Sequence, residues 1–140
     1  TAVEKYSQEA ADKCVPLDSE LIKEAIPLFT QIHHGGSVLA EVFFAMMISR
    51  ILYGSVPAPG TMVIFSILLA TCSIGTPGLP WGTVMVSLGT LTGILKFGDS
   101  GVALMFAVFA LNDAFAAACN ATCDGAAALF LTGYVKRHDL

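Results

Sequence analysis

Long apolar stretches, separated by short runs of polar residues, glycine and proline, dominate the chain. The first stretch covers 25–53 and is interrupted by His33-His34-Gly35-Gly36, two polar rings and two glycines that lower helix propensity. The pattern therefore predicts a broken transmembrane helix over 25–53. The last stretch, over 101–135, is rich in alanine and long enough to span a bilayer, so it predicts a final transmembrane helix.

Two shorter apolar arms lie between these helices, joined by Gly75-Thr76-Pro77-Gly78-Leu79-Pro80. Each arm is shorter than the roughly 20 apolar residues that a spanning helix needs. Non-helical backbone at membrane depth is tolerated where it lines a cavity or packs against protein. The pattern predicts a re-entrant helical hairpin over 61–95 with a candidate site at its tip. The alternative is a pair of soluble core helices joined by a Pro-Gly turn.

Composition favours the membrane interpretation. Of the 140 residues, 55% are hydrophobic and 13% are charged, whereas about a quarter of the residues of a soluble domain are charged. We therefore expect an all-α integral membrane protein. The net charge of -4 gives no basic surface for nucleic acid. The sequence has no Gly-x-Ser-x-Gly, Walker or His-Glu-x-x-His motif, so we do not expect an enzyme.

The charged residues are concentrated at the two ends of the chain. Acidic residues and lysines alternate through 1–24, which predicts a solvent-facing segment, and Lys136-Arg137 follows the last apolar stretch directly. Because basic residues favour the cytoplasmic side, both ends, including the C-terminus, are predicted to lie in the cytoplasm of a multi-pass protein of the cell membrane. The opening Thr1-Ala2-Val3-Glu4 carries no initiator Met, and we expect the chain to be a fragment.

Polar residues of the last helix form a stripe. Asp113, Asn120 and Asp124 share one face, because steps of seven and eleven residues nearly complete whole helical turns. Ionisable residues inside a membrane segment are costly and indicate a site for an ion, a proton or a substrate amine. The alternative is that either aspartate caps a local helix break or lies near an interface.

The order of these parts resembles the C-terminal transport-domain half of the dicarboxylate/amino acid:cation symporters, the glutamate-transporter family. Segment 73–80 (Ser-Ile-Gly-Thr-Pro-Gly-Leu-Pro) is similar to the second hairpin tip of the family, Ser-Ile-Gly-Thr-Ala-Gly-Val-Pro. Segment 120–124 (Asn-Ala-Thr-Cys-Asp) is similar to its Asn-Val-Thr-Gly-Asp, and 32–41 matches Ile-Asn-Met-Asp-Gly-Thr-Ala-Leu-Tyr-Glu. The resemblance covers nearly all of residues 1–140 and about the last third of a family member. The scaffold and the first hairpin are therefore expected to lie outside this chain.

The resemblance implies a substrate site. Asp113 would bind the α-amino group, Asn120 would hold the α-carboxylate, and Gly78 and Leu79 would cover the substrate. Members that carry acidic substrates have an arginine four residues before the asparagine, where this chain has Ala116. Since that arginine would pair with a side-chain carboxylate, the substitution predicts a neutral amino acid as the substrate.

The resemblance also implies sodium sites, because carboxylate and carbonyl oxygens are the ligands that hard cations prefer. Asp124, with Asn120 beside it, would hold one sodium ion. Backbone carbonyls near Ser73, Ile74 and Thr76 would take part in a second site under the hairpin. No other cofactor is expected.

Two titratable residues bear on proton dependence. His33 stands where the family has an asparagine, so an imidazole that titrates near neutral pH replaces an amide at the ion site. We interpret His33 and His34 as polar residues at a helix break rather than a metal pair, since adjacent helical positions diverge by about 100°. Glu41 aligns with a glutamate that resembles the proton carrier of the eukaryotic glutamate transporters, which predicts proton coupling through Glu41.

These observations together predict a secondary active transporter that couples sodium, and through His33 or Glu41 protons, to symport of a small amino acid or dicarboxylate, with a neutral amino acid favoured. The expected partners are the substrate, the lipid bilayer, the remainder of the parent chain and two further copies of the full-length protein in a homotrimer. The alternative is a non-transporting, channel-like or sensor protein on the same scaffold, which the altered His-His-Gly-Gly segment favours.

Overall fold

The computed structural model describes residues 5, 9, 13, 19–32, 34–76 and 82–138 of the chain. All regular secondary structure in this part is α-helical, so the predicted all-α class is confirmed for the described residues. The helices with described boundaries are α1 (Ser19–Ile32), α2 (Gly35–Tyr53), α3 (Pro59–Ile74), α4 (Gly82–Gly93) and α5 (Asp99–His138).

The helical chain is interrupted between Ile32 and Gly35. His34 lies in this gap with a non-helical backbone (φ -113°, ψ 14°), and its carbonyl accepts the first hydrogen bond of α2 from Val38 N at 2.8 Å. Gly35 and Gly36, which the sequence suggested as part of the interruption, instead form the first turn of α2. Gly36 serves there for close packing against α5 rather than for breaking the helix.

Helix α1 begins at Ser19, before the apolar stretch that the sequence placed from residue 25 onward. It is amphipathic, because Ile22 and Ile26 are buried while Lys23 and Glu24 are exposed. The end of the segment predicted as cytoplasmic, residues 19–24, is therefore helical and contributes Ile22 to the packing against α5.

Helices α3 and α4 are the arms of the predicted hairpin, and they pack against each other. Pro59 lies in the first turn of α3, where its missing N–H removes no helical hydrogen bond. With 16 and 12 residues, the arms are about 24 and 18 Å long, less than the roughly 30 Å hydrocarbon core of a bilayer. Tip residues 77–81 lie outside the described residues, and the re-entrant path remains a prediction.

The main apolar core lies where α2, α3, α4 and the first half of α5 meet. Its fully buried members include Ile48, Phe65, Leu91, Met105 and Phe109. A smaller cluster joins α1 to the second half of α5 through buried Ile22, Ile26 and Ala128. The long helix α5 thus contributes to two separate packing clusters.

Among the described residues, two stretches are long and apolar enough to cross a membrane: Glu20–Tyr53, with 34 residues including the interruption before α2, and Asp99–His138, with 40. Large apolar side chains lie on the outer surface of α5, where Leu111 is 83% exposed and Phe130 is 77% exposed. Such exposure is unfavourable in water and favourable in lipid, so the surface of α5 fits a membrane environment.

Tyr53, the last residue of α2, binds the start of α5. Its hydroxyl oxygen accepts a hydrogen bond from Gly98 N at 3.0 Å, and its ring packs on Phe97 with a centroid distance of 5.5 Å. A Cβ on Gly101 would lie 2.6 Å from the same hydroxyl, so a side chain at this position would displace the Tyr53 ring from this contact. The C-terminal end of α2 is therefore attached to the first turn of α5.

Candidate functional site

The polar stripe lies on one continuous helix, α5, and its members differ in burial. Asn120 is 6% exposed and Asp124 is 1% exposed, whereas Asp113 is half-buried. Asp124 lies one turn before Ala128, which packs against α1. The two residues that the resemblance assigned to ion and carboxylate binding are therefore among the buried polar side chains of α5, together with Thr132.

The amide of Asn120 contacts the first turn of α2. Its Oδ1 accepts hydrogen bonds from Gly36 N at 2.7 Å and from Ser37 N at 3.4 Å, and its Nδ2 donates to Ser37 Oγ at 3.1 Å. The first N–H groups of a helix have no carbonyl partner within that helix. Asn120 satisfies two of them and so caps α2 from the neighbouring helix.

Gly36 makes this contact possible. A Cβ at this position would lie 2.5 Å from Cys119 Cβ and 2.7 Å from the Ala116 carbonyl oxygen, distances that real side chains do not tolerate. Ala116 is itself 3% exposed. The two helices therefore approach backbone to backbone at Gly36 and Ala116, where small residues are required.

The C-terminal end of α3 lies close to the gap between α1 and α2. Thr76 donates two hydrogen bonds to the Ser73 carbonyl, from its hydroxyl at 2.6 Å and from its N–H at 3.1 Å. His34 Nε2 lies 3.3 Å from both the carbonyl oxygen and the hydroxyl of Thr76. Ser73 and Thr76 are buried, whereas the side chain of Ile74 is exposed. The sequence predicted His34 only as a polar residue at a helix break and gave no signal for its contact with Thr76.

Glu41 is fully buried between α2 and α4. Its Oε1 accepts a hydrogen bond from the hydroxyl of Ser87, and its Oε2 makes no hydrogen bond within the described part of the chain. The hydroxyl of Ser49, on the same helix, is likewise buried without a hydrogen-bond partner there. The position of Ser87 in α4, 46 residues after Glu41, gave no signal in the sequence.

Three of the predicted site residues, His33, Gly78 and Leu79, lie outside the described residues. Among residues 19–32, 34–76 and 82–138, no group of three or more His, Cys, Asp or Glu side chains is arranged to hold a metal ion. The structure brings Asn120 to α2 and His34 to Thr76, but it records no hydrogen bond between Asp113 and any other predicted site residue that it describes.

An open groove of about 410 Å³ lies between α2 and α5 beside this contact. Its walls are mainly apolar, and they are formed by Gly36, Leu39, Ala40, Phe43, Phe44, Asn112, Phe115, Ala116 and Cys119. Because Phe115 and Cys119 lie about 160° and about 120° around α5 from Asp113, the groove and the stripe occupy different faces of the helix.

Comparison with protein families matches most of the chain. The sequence model of the sodium:dicarboxylate symporter family matches residues 6–133, which include α1 to α4 whole and α5 as far as Gly133. No curated protein and no solved structure matches the chain.

Proposed function

This chain belongs to the sodium:dicarboxylate symporter family, and we propose that it forms the C-terminal part of the transport domain of a sodium-driven symporter for small neutral amino acids. Members of this family are membrane transporters rather than enzymes, and their general activity is sodium-coupled symport of dicarboxylates or amino acids. Membership of the family thus implies sodium as the coupling ion and a location in the membrane. The residues of α5 support the narrower choice of substrate.

The charge of α5 carries the proposal of a neutral substrate. Its basic residues all lie in the last turn, at Lys136, Arg137 and His138, far along the helix from Asp113. Ala116 packs beside Gly36 and contributes no charge. A dicarboxylate needs a cationic partner for its second carboxylate, and α5 offers none near the stripe. A substrate with one ammonium and one carboxylate group matches the groups that are present.

We assign the two ends of this substrate to Asp113 and Asn120. Seven residues separate them, so their backbones lie about 10 Å apart along the helix axis. An amino acid that hydrogen-bonds to both side chains fills a gap of this length. Asp113 would accept hydrogen bonds from the ammonium group, and Asn120 Nδ2 would donate to the carboxylate. Gly78 and Leu79 would close over the substrate from the hairpin tip.

We place sodium ions at the buried carboxylate of Asp124, beside Asn120, and near the C-terminal end of α3. The last carbonyl groups of a helix lack partners within it and carry its negative partial charge, which favours a cation. The carbonyls near Ser73, Ile74 and Thr76 lie at this end of α3, and the Ser73 carbonyl also accepts hydrogen bonds from Thr76. His33 would place an imidazole near the sodium ion at Asp124, where the family has the amide of an asparagine. Sodium binding at this site would then depend on pH.

Proton coupling through Glu41 is the second part of the proposal. A carboxyl group buried this deeply in a membrane segment is costly when it is charged, so a proton on Glu41 lowers the cost of its burial. The buried oxygen without a hydrogen-bond partner, Oε2, is the position for that proton. Ser87 holds the other oxygen and keeps the carboxyl group oriented.

The arrangement in the membrane follows the same proposal. The chain would pass through the cell membrane several times with its C-terminus, after Lys136 and Arg137, in the cytoplasm. The full-length protein would form a homotrimer through a scaffold that lies outside this chain. Cysteine accessibility on either side of the membrane and the mass of the detergent-solubilised protein would test these two statements.

The central test is uptake by the full-length protein in proteoliposomes. Labelled L-alanine and L-aspartate are supplied with an inward sodium gradient or with choline in place of sodium. We expect accumulation of alanine that requires the sodium gradient, with little accumulation of aspartate. Preferential uptake of aspartate would overturn the neutral-substrate assignment. If neither solute accumulates, transport itself fails, and currents without solute flux would favour a channel-like protein.

A further inference from the structure

The orientation of the Asn120 amide is fixed by α2. An amide oxygen accepts two hydrogen bonds, and both acceptor positions of Oδ1 are used by Gly36 N at 2.7 Å and Ser37 N at 3.4 Å. An amide nitrogen donates two hydrogen bonds, and one of them goes to Ser37 Oγ at 3.1 Å. The second N–H of Nδ2 makes no hydrogen bond with any described residue.

The opposite orientation is unfavourable. Turning the amide over would place its NH2 group against the N–H groups of Gly36 and Ser37, so donors would face donors. These two N–H groups belong to the first turn of α2 and have no acceptor within that helix. They are also buried, and a buried N–H without a partner costs more than the hydrogen bond itself contributes. The helix end therefore selects one of the two amide orientations.

We propose that Gly36 and Ser37 are positioning residues for the ligand, because they hold Asn120 so that only a hydrogen-bond donor is presented to it. This inference rests on the proposed function, in which Asn120 contacts the substrate. A hydrogen-bond donor held in this position binds a carboxylate and disfavours an ammonium group, which is itself a donor. Asp113, in contrast, presents hydrogen-bond acceptors. Asp113 and Asn120 therefore distinguish the ammonium end of an amino acid from its carboxylate end and set the direction in which it binds.

Gly36 and Ser37 act in different ways. Gly36 allows α2 to approach closely, because a Cβ there would lie 2.9 Å from Asn120 Oδ1 and closer still to Cys119 and Ala116. Ser37 supplies the hydroxyl that accepts from Nδ2, and its side chain is 8% exposed. A change at Gly36 would disturb the packing of both helices, whereas a change at Ser37 removes one contact. Ser37 is therefore the better residue to test.

The test measures KM and turnover for sodium-driven L-alanine uptake by the full-length protein. We expect Ser37→Ala to raise KM about 2- to 10-fold, the range of one neutral hydrogen bond, and to leave turnover unchanged. Ser37→Thr keeps the hydroxyl and should keep the KM of the original protein. Ser66→Ala is the matched control, because the Ser66 hydroxyl bonds only to its own helix, at Met62 O.

A double-mutant cycle separates positioning from a merely structural role. If Ser37 acts through Asn120, Ser37→Ala should leave KM unchanged in an Asn120→Ala background, since the amide that it orients is gone. Equal effects of Ser37→Ala in both backgrounds, or a loss of turnover without a change in KM, would overturn the inference. If Asn120→Ala is not produced as a folded protein, the comparison of KM between Ser37→Ala and Ser37→Thr tests the positioning role by itself.

Failure of the proposed function gives a different result. If the unmodified protein shows no sodium-driven uptake of alanine, the proposed function fails, and the inference fails with it. If the unmodified protein accumulates alanine and Ser37→Ala has the same KM, only the positioning role of Ser37 is overturned.

Discussion

The two halves of α5 bury different kinds of side chain. The first half places Met105 and Phe109 against α2, α3 and α4, and both are almost fully buried in an apolar core. The second half buries Asn120, Asp124 and Thr132 with the small residue Ala128 between them. The same helix therefore contributes to stability through close apolar packing at one end and presents buried polar groups at the other. Changes in the first half should affect folding, and changes in the second half should affect ligand and ion binding.

The largest expected effect is in the first half. Phe109→Ala removes a fully buried ring and leaves a cavity, and we expect it to lower the free energy of unfolding by about 3–5 kcal/mol. Unfolding of the detergent-solubilised protein by heat or denaturant measures the change. Phe115→Ala is the matched control, because this ring is 71% exposed and its removal should alter stability little. Similar losses in both variants would remove the distinction between core and outer surface on α5.

The two aspartates of the stripe should separate ion binding from substrate binding. Asp124→Asn should raise the sodium concentration needed for half-maximal uptake by about 10- to 100-fold, the range of a hydrogen bond or contact to a charged group. Asp113→Asn should act mainly on the KM for alanine. Uptake is measured against sodium and against alanine in turn. If Asp124→Asn leaves the sodium dependence unchanged, the assignment of the ion site to Asp124 is wrong.

Glu41 lies outside α5, and its substitution tests whether this buried carboxyl group takes part in transport, as proposed for the second half of α5. Glu41→Gln keeps an oxygen for the Ser87 hydrogen bond but removes the titratable proton. We expect the dependence of alanine uptake on pH to be flattened while the protein remains folded. Ser49→Ala, which alters a buried hydroxyl on the same helix, should keep that dependence. A Glu41→Gln variant whose alanine uptake keeps the full dependence on pH would contradict proton coupling through Glu41.

The smallest expected effect is at the attachment of α2 to the start of α5. Tyr53→Phe removes the hydroxyl that accepts from Gly98 N and keeps the ring that packs on Phe97. Because Gly98 is exposed and water can replace the lost acceptor, we expect a loss of only about 0.5–1 kcal/mol in the free energy of unfolding. Thermal unfolding checks this value, with Tyr134→Phe as a control at a tyrosine that packs on His138 in the last turn of α5. A loss above about 2 kcal/mol would place Tyr53 among the core residues.

The helical class and the shared face of the stripe follow from local patterns, so they could be predicted from the sequence. The burial of Asn120 and Asp124 on one side of α5 agrees with their spacing along the helix. The partner of Asn120 could not be predicted in this way, because Gly36 is 84 residues away in the sequence. Helical periodicity gives the direction in which a side chain points, and it does not give the segment that lies there.

Gly36 illustrates why local propensity was misleading. Taken alone, Gly35-Gly36 favours a helix break, and the sequence suggested one. In the structure both glycines are helical, and at Gly36 the contact with α5 needs the room that an absent Cβ leaves, so the packing outweighs the propensity. His34 shows a related limit. Its contact with Thr76 spans 42 residues and depends on how the hairpin folds back, which no short segment of sequence records.

Helix α2 is attached near both of its ends, through Asn120 of α5 at Gly36 and Ser37 and through Tyr53 at Gly98, the residue before α5. A rod of 19 residues, about 28 Å long, that is held at two distant points resists turning about its own axis or sliding along its neighbour. We therefore expect α2 and α5 to move together as one rigid body. A hinge that serves the transport cycle is then expected outside this pair, and the non-helical backbone at His34, between α1 and α2, is a candidate position.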